Sequence, residues 1–294
     1  MFTLDLNRAY MASVLVTGGN GFIGTHLCRN LQSLGYQVKS LDIREAGSHP
    51  WECIVADIRD NLSFDGIDYI VHLAGQISVS KSIENPDETL SINVDGTKSV
   101  IFSAEAAGVK KIIFASSAAV YGDCEEIPVK EESPLMPQSP YAVSKIVGEE
   151  LIKRSKIPSC SLRFFNVYGE GQSIEGGYAA VIPAFKRAIS ENRPCSVFGD
   201  GSQVRDFIHV SDLVRIISTT LEIENLPSEM NVGSGEGTSI LQLLEILSKA
   251  NPSMLDPIFL PSREGDIHTS ISNIARLKDY IDVSSIRSIE EGLV

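Results

Sequence analysis

The stretch SVLVTGGNGFIGTHL, residues 13–27, changes character at Gly18. Before it, Val14, Leu15 and Val16 make a short continuous apolar run, the pattern of a strand buried on both faces. After it, glycines at 18, 21 and 24 follow a Gly-x-x-Gly-x-x-Gly spacing. Glycine permits a tight turn and close backbone approach. A helix opening near Phe22 and Ile23 then points its amide groups and positive dipole end at a pyrophosphate. The spacing alone is also compatible with a plain strand-to-helix turn, but a strand before it and a helix after it are the context a dinucleotide site requires.

Outward from this turn the same rhythm continues to about residue 165. YQVKSLD (36–42), ECIVAD (52–57), DYIVHLAG (68–75), KKIIFASS (110–117) and CSLRFFN (160–166) are short, apolar and rich in β-branched or aromatic residues. Several of the segments between them read as helices, and the alternation predicts a doubly wound parallel sheet of Rossmann type, an α/β fold. After Asn166 the pattern turns to Gly-rich loops, a helix in YAAVIPAFKRAISEN (178–192) and short mixed elements. The predicted organisation is an N-terminal extension over 1–12, a dinucleotide-binding domain over 13–165, and a smaller mixed α/β region over 166–294. That last region is expected to be mainly substrate-binding, with some segments returning to the first domain.

Composition narrows the classes. A chain of 294 residues, 43% hydrophobic and 21% charged, can bury a sizeable core. Lys and Arg number 25 against 38 Asp and Glu, a formal charge of −13, which argues against general binding to nucleic acid or an anionic membrane. An anionic ligand must therefore be held by local groups. The five cysteines, at 28, 53, 124, 160 and 195, are odd in number and lack a Cys-x-x-Cys pair, so neither a disulfide framework nor a metal site is expected. A cytoplasmic setting fits that usage. No apolar run is long enough to span a bilayer, and MFTLDLNRAYMAS lacks the basic start and apolar core of a signal peptide.

Two further features carry chemistry. Asp42 closes the second strand at a distance suited to an adenosine ribose diol, and its charge disfavours a 2′-phosphate, so NAD is expected over NADP; Arg44, turned inward, would work against that preference. In SPYAVSKIVGEE (139–150), Tyr141 and Lys145 stand four apart on a helical run and share a face. By itself such a pair also suits an ordinary solvated surface.

TGGNGFIG, HLAG, NVDGT, SSAAVYG, SPYAVSK, FFNVYG and RDFIHVSD occur here in the order typical of extended short-chain dehydrogenases/reductases. The chain resembles the nucleotide-sugar branch of that superfamily over about residues 12–294, and most of all the UDP-hexose 4-epimerases. The resemblance implies NAD as cofactor and adds Ser117 to Tyr141 and Lys145. Ser117 would hold the reacting hydroxyl, and Lys145 would orient the cofactor ribose. Tyr141, its phenolate favoured by the ammonium and the oxidised nicotinamide, would take the hydroxyl proton as hydride leaves the sugar carbon. It also implies cofactor contacts from Asp57 and Ile58 beside adenine, from Leu73, Ala74 and Gly75 lining the cleft, and from Asn93 at the nicotinamide half. His72 is expected to be a packed core residue and Arg163 a structural one.

Related 4,6-dehydratases place an Asp-Glu pair in the SSAAVYG region, and UDP-glucuronate decarboxylases commonly a Glu, whereas this chain has Ala118 and Ala119. Alanine carries no proton, so the resemblance points to 4-epimerisation of a UDP-sugar through a transient 4-keto intermediate. The alternatives are another nucleotide-sugar enzyme of the family or a non-catalytic dinucleotide-binding regulator. Asn166, Arg205 and Arg263 would contact the nucleotide diphosphate. Ser270, small where a tyrosine would narrow the pocket, would leave room for an N-acetyl group. Relatives often pair the helix near 86–107 with the Tyr-x-x-x-Lys helix, so a homodimer is expected, with Val100, Ile101, Ile146 and Val147 as apolar candidates. Two features depart from the pattern. The sequence ends at SIEEGLV, where the family's last helix usually continues, and the N-terminal extension has no counterpart among the motifs.

Overall fold

The computed structural model describes residues 12–45, 47–173, 180–262 and 267–293. In chain order the elements are β1 (Ser13–Thr17), α1 (Phe22–Ser33), β2 (Gln37–Asp42), β3 (Glu52–Val55), β4 (Tyr69–His72), α2 (Val79–Glu84), α3 (Pro86–Leu90), α4 (Gly96–Ala107), β5 (Lys111–Ser117), α5 (Pro140–Arg154) and β6 (Ser159–Phe164). There follow β7 (Asn166–Tyr168), α6 (Val181–Ser190), β8 (Ser196–Phe198), β9 (Val204–His209), α7 (Val210–Glu222), β10 (Glu229–Val232), β11 (Gly237–Ser239), α8 (Ile240–Ala250), β12 (Ile258–Leu260), β13 (Thr269–Ser270), α9 (Ala275–Tyr280) and α10 (Ile289–Leu293). None of the described helices is long and apolar enough to cross a membrane.

The chain forms two compact units. The first takes residues up to Val120, Ser139–Arg163 and Val214–Met230; the second takes Tyr121–Gln138, Phe164–Leu213 and Asn231 onward. The seven-stranded sheet has the order β10-β6-β5-β4-β1-β2-β3, and β1 pairs in parallel with both β2 and β4. The chain steps outward from β1 to β3 and then returns to the other side of β1. The switch point, where a ligand crevice opens beyond the carboxyl ends of the strands, thus falls between β1 and β4. All five residues of β1 are buried, as expected of a strand covered on both faces. Leu15, Leu41, Ile70, Ile112 and Phe114 from the sheet pack with Val100 and Ala104 of α4 and Ile152 of α5 in one core cluster. Val100 is therefore a core residue, with Ile101 packed partly against the same cluster; the exposed apolar side chain of α4 is Phe102.

Local sequence fixes the helix that carries Tyr141 and Lys145. Ser139 is its N-cap, accepting the Ala142 amide at 3.1 Å, and Pro140 fills the first helical position, where no amide donor is missed. Gly148 then lets the helix lie close on the sheet: a Cβ there would stand 2.5 Å from the Phe114 ring.

In the second unit β9 is central, antiparallel to β11 and parallel to β13 and β7. A parallel β8–β12 pair and a cluster joining Ile182 and Phe185 of α6 to Leu243 and Leu247 of α8 complete its interior. Ser239 and Gln242 cap α8 reciprocally, satisfying two amides at its start.

Candidate active site

The ends of β1, β2, β4 and β5 and the helices α1 and α5 of the first unit assemble the site. Beyond β1, Gly18 adopts φ +71°, where a side chain would be strained, and a Cβ there would stand 2.8 Å from the Ala74 nitrogen. Gly24 faces the back of the same turn, with a Cβ position only 2.2 Å from the Gly18 carbonyl oxygen. The start of α1 therefore rests directly on the loop that ends β1. Gly21 is the N-cap and makes no side-chain cap bond, so the amides of the first turn, at Phe22, Ile23 and Gly24, keep the positive end of the helix open to an anion. A bare glycine cradle and an uncapped helix start at the switch point fit the pyrophosphate of a dinucleotide.

Asp42, buried at the end of β2, accepts the Asn20 amide at 3.1 Å and the Arg44 amide at 3.1 Å. The Arg44 guanidinium folds onto the same carboxylate, with Nε 3.2 Å from Oδ1, while the rest of its side chain stays exposed. Further along that edge, Asp57 pairs with Arg59 at 2.6 Å, and this hydrogen bond, acting against some burial, holds its carboxyl below the usual range. Ile58 is buried against Gly96, whose Cβ position lies 2.5 Å from the Ile58 methyl.

A buried hydrogen-bond chain fixes the loop after β4. Ala74 donates its amide to Thr17 Oγ1 at 3.2 Å, and Thr17 Oγ1 lies 2.7 Å from His72 Nδ1. His72 Nε2 is 3.0 Å from Thr97 Oγ1, which gives its single hydrogen to the Asn93 carbonyl at 2.6 Å. The proton of the imidazole therefore sits on Nε2, and Nδ1 accepts from Thr17. Burial, reinforced by the charge of Lys145, lowers the His72 pKa to about 3, so the ring stays neutral. Its core placement agrees with expectation, though its hydrogen bonds give it a more definite task than packing.

Asn93 sits in a π-helical turn, Ser91–Asp95, between α3 and α4. Such turns recur at functional sites because they displace one residue from the regular ladder. Its amide donates to the Gln76 carbonyl at 2.9 Å and to Ser144 Oγ at 2.8 Å, and its oxygen accepts the Gln76 amide at 2.7 Å. Ser144 in turn donates to the Tyr141 carbonyl at 2.7 Å. Asn93 thus ties Gly75–Gln76, and with it the loop of Leu73 and Ala74, to α5, the helix of Tyr141 and Lys145. A Cβ on Gly75 would meet Asn93 Oδ1 at 2.9 Å and Lys145 Nζ at 3.8 Å.

Ser117, Tyr141 and Lys145 come together here. Ser117 ends β5, accepts the Ala119 amide at 3.2 Å and lies near enough to the Tyr141 phenol to favour its ionised form. Lys145 is buried; its Nζ donates to the Ala115 carbonyl at 2.8 Å and stands 5.8 Å from the Tyr141 ring centre. Burial pushes the Lys145 pKa down to about 8, with Glu149 acting in the opposite direction. Burial also raises the Tyr141 phenol above its ordinary value, against the lowering influence of the Ser117 hydroxyl, so in the protein alone desolvation outweighs activation. A cationic ligand beside the phenol would reverse that balance.

In the second unit, Asn166 on β7 donates to the Asp206 carbonyl at 3.1 Å. Arg205 on β9 donates to the carbonyls of Val204 at 2.9 Å and His268 at 3.2 Å, and Ser270 on β13 stands in register with it. These three positions share one small sheet. Arg263 lies outside the described residues. Besides the chain from Thr17 to Asn93, two groupings escaped the sequence reading. Asp206, fully buried, accepts the amides of Ser234, Gly235 and Ser272 at 2.7, 3.1 and 3.1 Å and both serine hydroxyls, and so fastens β13 beside β9. Glu149, with Arg163 and Ser116, is the other. Its only signal in the sequence was a second four-residue step along the face of Tyr141 and Lys145.

Residues 14–233 match the NAD dependent epimerase/dehydratase family. The chain is 36% identical over 291 residues to a putative UDP-glucose 4-epimerase of Methanocaldococcus jannaschii, covering 94% of this chain and 92% of that protein. Its fold is similar, with a TM-score of 0.89 and 33% identity over 96% of each chain, to the UDP-N-acetylglucosamine 4-epimerase from Methanobrevibacter ruminantium in complex with UDP-N-acetylmuramic acid. The UDP-glucose 4-epimerase of Thermus thermophilus in complex with NAD is also similar, with a TM-score of 0.85 and 28% identity over 96% of each chain.

Proposed function

This chain belongs to the NAD-dependent epimerase/dehydratase family, and within it we propose that it is an NAD-dependent UDP-sugar 4-epimerase, an isomerase. The observation that carries the reading is the meeting of Ser117, Tyr141 and Lys145 at the end of β5, beside the glycine cradle of β1. The similarity to named 4-epimerases along nearly the whole chain supports it. The first turn of α1, Asp42 and the loop Leu73–Gly75 would hold NAD, which when bound supplies a reversible hydride acceptor for the sugar carbon.

The side chains have distinct tasks. Ser117 holds the oxygen at C4 of the sugar. Tyr141 takes the hydroxyl proton on the outward step and gives it back on the return, so one phenol serves as base and then acid. Lys145 keeps a positive charge beneath it. Ala118 and Ala119, in the short turn Ala118–Tyr121 after β5, offer no acid or base for elimination, which favours return of hydride over loss of water. Asn166, Arg205 and Arg263 are assigned to the nucleotide diphosphate and Ser270 to the sugar. For the arginines the reason is that a guanidinium makes paired, charge-assisted bonds to phosphate.

The test is incubation of the purified protein with UDP-glucose, UDP-galactose, their N-acetylamino counterparts and UDP-glucuronate, followed by NMR of the products. Inversion at C4 is expected. A dehydrated or decarboxylated sugar, or no conversion of any member, overturns the assignment. We assign the assembly as a homodimer through α4 and α5, on which Phe102 and Val143 are exposed at 71% and 40%. Light scattering should return twice the mass of one chain. Cysteines that are all free fit a reducing, cytoplasmic setting.

A further inference from the structure

Directly along α5 from Lys145, Glu149 occupies a small polar pocket in the core of the first unit. Its carboxylate receives two hydrogen bonds from Arg163 on β6, Nε to Oε1 at 2.9 Å and the terminal nitrogen to Oε2 at 2.7 Å. Ser116 on β5, adjacent in sequence to Ser117, donates its hydroxyl to the same Oε1. The side chains of Arg163 and Glu149 are only 4% and 11% exposed. A bidentate guanidinium and a hydroxyl fix the position of this carboxylate. Four residues earlier on the same helix face is Lys145. A buried pair of this kind does little for net stability, because desolvation offsets its attraction, so its retention beside a catalytic lysine asks for another reason.

We propose that Glu149 is a positioning residue of the reaction: locked by Arg163 and Ser116, it holds a negative charge one helical turn from Lys145 and keeps that lysine a cation during turnover. The balance of nearby charges supports this. On α5 itself the ionisable neighbours of Lys145 are Tyr141 and Glu149. From β4 comes His72, which is neutral, and from β6 comes Arg163, which pairs with Glu149 but, unlike it, is not among the charges that act on Lys145. On the helices packed against α5, Lys81, Glu84, Asp87, Glu88, Asp95, Lys98 and Glu105 are all exposed and screened by solvent. Burial already lowers the Lys145 pKa to about 8, and Glu149 is the group that acts against it. Without that carboxylate the Lys145 pKa would fall further below its ordinary value, and Tyr141 would lose part of the cation that favours its phenolate.

The proposal rests on the 4-epimerase reading for its activity readout, so a second readout independent of turnover is paired with it. In Glu149→Gln the alkaline limb of the kcat/KM profile should move to lower pH by about one unit, the low end of what loss of a nearby opposite charge produces. Because this variant leaves Arg163 buried without its partner, the double variant Glu149→Gln, Arg163→Met is measured beside it. That protein should recover thermal stability yet keep its limb below that of wild type. The independent readout is the NMR titration of the Lys145 Cε in selectively labelled, NAD-free protein, whose midpoint should fall in both variants. An unchanged Lys145 midpoint, with activity falling only in step with melting temperature, makes Glu149 purely structural and overturns the proposal. Absence of epimerisation in wild type together with a shifted Lys145 midpoint would instead sink the functional reading and leave this one standing.

Discussion

Lys145 Nζ donates a 2.8 Å hydrogen bond to the carbonyl of Ala115, two residues before Ser117, so this lysine is anchored to the strand that carries Ser117. The anchor holds a buried amine whose pKa falls from 10.5 to about 8. Between those values the unfolded chain binds the extra proton and the folded one does not, so this group's contribution to stability rises as pH climbs from 8 towards 10.5. Below 8 the cost of burying the cation is fully present. NAD-free Lys145→Met should therefore melt higher than wild type at pH 7, with the gap closing by about pH 10.5, while losing epimerase activity. Calorimetric melting across that range checks it; a gap that widens with pH contradicts the burial argument.

Tyr141→Phe removes the proton carrier and leaves the ring in place. Turnover should fall by at least about a hundredfold, the usual contribution of a positioned acid or base. UDP-sugar affinity, measured calorimetrically, should change little, because the phenol acts in the transition state more than in ground-state binding.

The three glycines are not equivalent. A Cβ at Gly24 would stand 2.2 Å from the Gly18 carbonyl, whereas one at Gly21 would stand 3.1 Å from the same oxygen. Gly24→Ala should cost about 1–3 kcal/mol or more from overpacking against backbone and should abolish NAD retention. Gly21→Ala should fold nearly as well as wild type. Equal melting temperatures for the two variants would contradict this ranking.

Asp42 and Arg44 are the pair on which the proposed preference for NAD is tested. The guanidinium is drawn onto the Asp42 carboxylate; with Asp42 at the ribose as proposed, a 2′-phosphate would meet a like charge, a juxtaposition that costs several kcal/mol. NAD should bind at least about tenfold more tightly than NADP by titration calorimetry. Asp42→Asn, which leaves Arg44 unopposed, should narrow that ratio.

Ser270 stands beside Arg205 across the β13–β9 pair, a short strand held by Asp206. Ser270→Tyr should lower kcat/KM for UDP-N-acetylglucosamine relative to UDP-glucose by tenfold or more, on the order of what a filled pocket achieves. An unchanged ratio removes Ser270 as the sugar gate.

Local sequence by itself determined the six strands from Ser13 to Phe164, the glycine turn before α1, and the start of α5 at Ser139–Pro140. Each of these is written in neighbouring residues, as an apolar run, a φ that only glycine adopts freely, or a cap. The same local rules placed Tyr141 and Lys145 on one helix face, and the resemblance added Ser117. Tertiary structure decided the rest. It brought β10 from beyond residue 228 to the edge of the sheet and turned Val100 into the core. It joined Thr17, His72, Thr97 and Asn93 in one chain and closed Glu149 onto Arg163. None of these pairings leaves a period in the sequence, because a buried polar side chain takes its partner from whichever strand or helix the packed core sets beside it. An ordinary threonine, histidine or glutamate becomes part of the site only when the sheet order and the close seating of α5 over Gly148 have brought that partner within hydrogen-bond reach.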